Sequence, residues 1–216
     1  MTNVDLGQVI RAADEDAFWA LRAKAIQSYA NLEQSLFRLF TTLTEMDEEL
    51  SSIVFVRLTS AHARNSVIEK LFQKKHGTDF NLFRNSLIDQ LQPINVERNE
   101  IVHWNTVTRA SGRGFEALVL MPPGKWATDS VMRDSDALAA FLLKCKFYGR
   151  LINMFTMVVM HPEFSIPDAD RMTWLSIFSQ PIRYPPPMDH PLFPKPEEQQ
   201  MSSQAIVLEE AKLPRL

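Results

Sequence analysis

One run of six residues, Arg98-Asn99-Glu100-Ile101-Val102-His103, carries side chains suited to chemistry. Histidine titrates near neutrality, so it can take a proton or give one. A forked guanidinium stabilises the negative charge that gathers on a pentacoordinate phosphate. Together these types suit metal-free cleavage of RNA, in which a 2′-hydroxyl attacks the adjacent phosphate. That reaction needs a base for the hydroxyl proton and an acid for the leaving 5′-oxygen. Asn99 can hydrogen-bond phosphate, ribose or the His ring. The run reads as helix. At 100° per residue, Asn99 and His103 share one face, Glu100 and Trp104 another, and Arg98 and Val102 a third. Arg98 and His103 diverge by about 140°, so one helix makes a poor paired site. Two copies across a two-fold axis would place each residue twice in one cleft.

The elements that must position this run are helical. Phe18, Leu21, Ala25, Tyr29, Leu32, Leu36, Leu39 and Leu43 recur at spacings of three and four, one apolar stripe without Pro or Gly. The residues before it read as a lead-in. A second helix is expected from Met46 or Asp47 to His76, with Leu50, Ile53, Val54, Leu58, Ala61, Ile68, Leu71 and Phe72 inward and Gly77 as its stop. A third follows Asp79 as cap, with Phe80, Phe83, Leu87 and Leu91 inward. Pro93 should kink or break it, so the motif would stand on a further stretch from Ile94 to about Trp104. The turns Ser111-Gly112-Arg113-Gly114 and Pro122-Pro123-Gly124 flank a β-capable segment, Phe115 to Met121, and Lys125 to Thr128 follows. This reads as a small β-hairpin or a structured loop. The fourth long helix is expected over Ser135 to Met160, with Leu138, Phe141, Leu142, Cys145, Tyr148, Ile152, Phe155 and Val159 inward, and a short helix over Pro167 to Phe178. The fold class is therefore all-α: an up-and-down bundle of four to five helices with a hairpin or loop insertion. Residues 1–178 form the domain. Residues 179–216 form an extended tail rich in proline, from Pro181 to Pro196.

Arg98-Asn99-x-x-x-His103, late in the third helical segment, resembles the R-x4-6-H motif of the HEPN superfamily in its R-N-x-x-x-H form. The preceding helices are similar in order and length to that superfamily's bundle. The resemblance covers roughly Phe18 to Met160 in architecture and six residues in motif. It implies a metal-independent endoribonuclease of the kind found in toxin–antitoxin, abortive-infection and CRISPR systems. It implies a homodimer whose two motifs line a shared cleft, with Arg98 and His103 catalytic and Asn99 in support. Some HEPN domains have lost nuclease activity and serve as scaffolds, and fold alone does not establish chemistry.

Composition narrows the alternatives. The net charge is −3, so any RNA contact must come from a local basic patch. The single cysteine, Cys145, permits no intrachain disulfide and reads as buried filler, consistent with a reducing cytoplasm. The acidic N-terminal residues do not read as a signal peptide, and the run Phe147 to Met160 is too short and polar to span a bilayer. His62, His76, His161 and His190 are scattered, so neither a metal site nor a cofactor is expected. His103 could instead be structural, packed between helices while Arg98 bridges to Glu97 or Glu100. Arg64 and Asn65 read as interhelical hydrogen-bonding groups or as lining of the same cleft, Arg84-Asn85 as solvated surface, and Glu33 as a partner for an Arg such as Arg98. Two other functions compete with the nuclease. One is a catalytically inactive helical interaction module that binds a protein partner through its surface and tail. The other is a small-molecule sensor with a pocket near Trp104 and Trp126.

Overall fold

The structure is a computed structural model, and it describes residues 6–110, 116–124, 132–161, 163 and 166–193. Helix accounts for 72% of these residues and the only sheet among them has two strands, which makes the fold all-α as expected. The helices are α1 (Leu6–Thr44), α2 (Glu48–Arg57), α3 (Ala61–His76), α4 (Asn81–His103), α5 (Ser135–Phe155) and α6 (Asp168–Phe178). The strands β1 (Asn105–Ala110) and β2 (Glu116–Met121) lie between α4 and α5. The chain divides into two compact units. The larger holds Ser28–Arg98 and Leu143–Leu192; the smaller holds the described residues up to Gln27 and those of Asn99–Leu142.

Every residue of the first stripe, Phe18 through Leu43, is buried, so periodicity read this helix correctly. Its start was not legible: α1 begins at Leu6, well before the stripe. No proline interrupts that extension, and each added residue gains one backbone hydrogen bond.

The expected second helix is two. Leu58, with ψ 76°, ends α2, and the Ser60 hydroxyl accepts from the Ala63 amide to start α3. That break resets the helical phase. Leu50, Ile53 and Val54, expected inward, are exposed, while Ser51 and Phe55 are buried. Phe55 packs against Phe37 and Phe40 of α1 at 5.5 and 5.4 Å. Gly77 ends α3 as expected, at φ +60°, where a Cβ would be strained.

Pro93 does not break α4, which runs unbroken from Asn81 to His103. Leu91 and Ile94, on either side of the proline, are both buried, and their packing outweighs the ~3 kcal/mol that an interior proline costs. Asp79 is not the cap; the first helical bond, from the Arg84 amide, goes to the Phe80 carbonyl. Arg84 is not solvated surface but buried. Helical spacing puts it on the face of Phe80, Leu87 and Leu91, and its Nε and Nη2 donate to Asn85 Oδ1 at 3.2 and 3.1 Å.

Phe155 on α5 centres the core of the larger unit. Its ring meets Phe72 at 4.9 Å, Phe83 at 5.0 Å, Phe178 at 5.1 Å and Phe80 at 5.4 Å, which ties α3, α4, α5 and α6 together. Gly149 lets α5 approach α1; a Cβ there would meet Ser35 Oγ at 3.4 Å. The expected end of this helix, Thr156–Met160, is a π-helical turn. Within it Val158 is buried, whereas Val159, expected inward, is half-buried.

The first part of the proline-rich segment packs onto the larger unit. The Ile182 amide donates to Ser86 Oγ at 2.8 Å, and Tyr184 and His190 lie against Phe147 at 5.4 and 5.6 Å. Residues 194–216 of the expected tail lie outside the described residues. No helix among the described residues is long and apolar enough to cross a membrane.

In the smaller unit the expected hairpin exists, with a partner that the turns did not indicate. β2 pairs antiparallel with β1, with Asn105 opposite Met121 and Val107 opposite Val119. The β-branched run Thr106-Val107-Thr108 favours the extended state as soon as α4 ends. The turns at 111–114 and the segment 125–128 lie outside the described residues, as does Trp126.

Candidate functional site

The end of α4 carries the candidate residues. Asn99 and His103 stand one turn apart and are both exposed. His103 is the last helical residue, and the chain passes through Trp104 directly into β1. His103 is therefore not packed between helices.

This terminus is fixed by two arginines that the sequence reading did not single out. Arg22 of α1 donates through Nε to the Ile101 carbonyl at 2.9 Å and through Nη2 to the carbonyls of Val102 and Trp104 at 3.1 and 3.2 Å. Its Nη1 donates to Thr106 Oγ1 of β1 at 3.1 Å. The last carbonyls of a helix lack intrahelical partners and carry partial negative charge, so a guanidinium there satisfies both needs. The same guanidinium lies over the Trp19 ring, 5.2 Å from its centroid. Arg133 donates through Nε and Nη2 to Glu100 Oε2 at 2.9 and 2.7 Å, and it lies 5.9 Å from the centroid of the Trp104 ring. Glu100 and Trp104 do share a face, as helical spacing required, and Arg133 spans it. Backbone bonds of 2.8 and 3.1 Å between Leu120 and Arg133 anchor that arginine to β2.

Arg98 belongs to the larger unit. Its guanidinium lies over the Tyr29 ring, 5.4 Å from the centroid. The Tyr29 hydroxyl donates to Asn95 Oδ1 at 2.6 Å, with Glu33 Oε1 3.2 Å away. Burial, with the Glu33 charge adding to it, pushes the Tyr29 phenol up to about 12. Glu33 forms an ion pair with Arg64. Arg64 also donates to the Leu58 carbonyl at 3.2 Å, which makes it the interhelical group expected. Nearby on α4, Glu97 accepts from Lys144 at 2.6 Å, and Glu100 from Arg133. Asn65 and Cys145 are buried in the larger unit.

Asn99 and His103 thus present one exposed face, while Arg98 is half-buried against an aromatic ring. Among the described residues no group of three His, Cys, Asp or Glu side chains could hold a metal ion. Sequence periodicity offered one signal for Trp19: it stands off the buried stripe of Phe18, Leu21 and Ala25. No local signal joins Arg22 to residues eighty positions away. Comparison with known protein families, curated proteins and solved structures found no match.

Proposed function

We propose that the chain is a HEPN-like, metal-independent endoribonuclease that acts as a homodimer. The observation that carries this reading is the exposure of Asn99 and His103, one turn apart at the end of α4. In the proposed reaction His103 of one copy takes the 2′-hydroxyl proton as the O2′–P bond forms. His103 of the second copy gives a proton to the 5′-oxygen as the P–O5′ bond breaks. The products are a 2′,3′-cyclic phosphate and a 5′-hydroxyl end. Arg98 stabilises the charge on the phosphate and Asn99 orients phosphate or ribose. Arg22 supports the reading by placing a cation beside the last turn of α4, whereas the charge of Arg133 is balanced by Glu100.

The test is cleavage of single-stranded RNA in EDTA, with end-group analysis and His103→Ala beside the wild type. We expect cyclic-phosphate ends from the wild type and loss of at least ~10²-fold in rate for the variant, the scale of general acid–base catalysis. Because His103 is exposed, the melting temperature should not move. Cleavage retained by His103→Ala would sink the assignment, and a monomer at active concentrations would sink the shared cleft. The setting proposed for the activity is cytoplasmic stress or phage defence. It predicts that induced expression arrests growth and that His103→Ala relieves the arrest.

A second reading, an inactive interaction module, draws support from α2. Leu50, Ile53, Val54 and Val56 leave apolar surface exposed on one short helix. It predicts no cleavage under any condition and a stable protein complex that Ile53→Asp disrupts.

A further inference from the structure

Two indoles flank the end of α4, and each carries a guanidinium on its ring: Trp19 under Arg22, and Trp104 under Arg133. Trp104 is half-buried, whereas Trp19 is 47% exposed. Trp19 stands off the buried stripe, yet it is held in place. The Phe18 ring meets it edge-on, at 6.1 Å and 83°. Arg22, fixed by carbonyls on both sides of His103, lies over it. One guanidinium therefore joins the exposed ring to the backbone on either side of His103, at Val102 and Trp104.

Resting on the nuclease reading above, we propose that Trp19 is a stacking platform for a nucleobase of single-stranded RNA. It would seat a base close to the phosphate on which His103 acts. Aromatic rings with interleaved cations suit this ligand, because every base offers a π-face and every nucleotide a negative phosphate. Stacking tolerates any base, so the subsite would confer preference for unpaired RNA over duplex instead of sequence specificity. A nucleobase on Trp19 would keep Arg22 as its neighbour, leaving that cation to contribute to the field at the phosphate.

The experiment measures binding of a labelled, single-stranded 2′-O-methyl oligonucleotide of mixed sequence by fluorescence anisotropy. This probe lacks the attacking 2′-hydroxyl, so binding is read without cleavage. Trp19→Ala should weaken binding ~10-fold or more, and Trp19→Phe, which keeps a π-face, should stay within about 3-fold of wild type. Cleavage of the all-ribo oligonucleotide should show the loss in KM, with kcat within about 2-fold, because Trp19 touches no reacting atom. An abasic version of the probe should erase the difference between wild type and Trp19→Ala. Equal binding by Trp19→Ala, or a dimer that this variant dissociates, would overturn the proposal; the second result would make Trp19 a contact between copies. Trp19-dependent binding without cleavage would support the platform and sink the nuclease reading. Cleavage indifferent to Trp19 would do the reverse.

Discussion

Replacing Arg22 by methionine keeps the aliphatic stem and removes the guanidinium. Four hydrogen bonds disappear, to the carbonyls of Ile101, Val102 and Trp104 and to Thr106 Oγ1. A buried bond from a charged donor is worth about 1.5–3 kcal/mol, but Arg22 is only half-buried and water can reach some of these oxygens. About 0.5–1 kcal/mol for each bond is the better scale here. The lost charge at the helix C-terminus adds roughly 0.3–1 kcal/mol. The cation–π contact with Trp19 adds about 0.5–1 kcal/mol, and since all these terms share one group they overlap. The expected loss is therefore roughly 2–4 kcal/mol. For a chain of this length that lowers the melting temperature by roughly 4–16 °C. Urea denaturation followed by circular dichroism measures it, with an unchanged m value showing that the folded state is intact. Lysine at this position should recover part of the loss, because one ammonium keeps the charge but cannot span three carbonyls. A loss below ~0.5 kcal/mol for Arg22→Met would refute the claim that this fork holds the end of α4. Full recovery by Arg22→Lys would show that charge alone matters.

Three further measurements follow from the same structure. The phenol of Tyr29 is pushed up to about 12, and those of Tyr148 and Tyr184 are also raised, all chiefly by burial. The fold favours the neutral phenol, so this contribution is full below the unfolded value near 10 and is lost as pH rises through about 12. Ultraviolet titration should show little phenolate until alkaline unfolding; a reversible transition near pH 10 in folded protein would contradict it. Phe155→Ala empties the centre of five aromatic contacts and should cost about 3–5 kcal/mol, read as a large drop in melting temperature. Arg84→Met should stabilise the protein by about 1–3 kcal/mol, because Arg84 Nη1 is buried without a hydrogen-bond partner among the described residues. A fall in stability would show that this guanidinium is satisfied.

Local pattern determined the helices whose buried face repeats without interruption. The stripe from Phe18 to Leu43 and the run from Leu138 to Phe155 are both legible, because a 3.6-residue period has one physical solution, a helix with one buried side. Where the backbone changes its winding, the phase is lost. Leu58 to Ser60 turned Leu50, Ile53 and Val54 outward, and at the π turn Val158 is buried where Val159 was expected. Pro93 shows the opposite failure: a strong local signal for a break gave way to the packing of Leu91 and Ile94. The candidate run, Arg98 to His103, was visible by residue type, and the pairing of Asn99 with His103 on one face followed from helix geometry alone. Only the tertiary structure decided that this face is exposed. Only it brought Arg22 to the carbonyls around His103, Arg133 to Glu100 and Tyr29 to Arg98. These are long-range contacts of charged groups, and a guanidinium's partner depends on which backbone ends and carboxylates the fold delivers to it. No spacing along the chain encodes that.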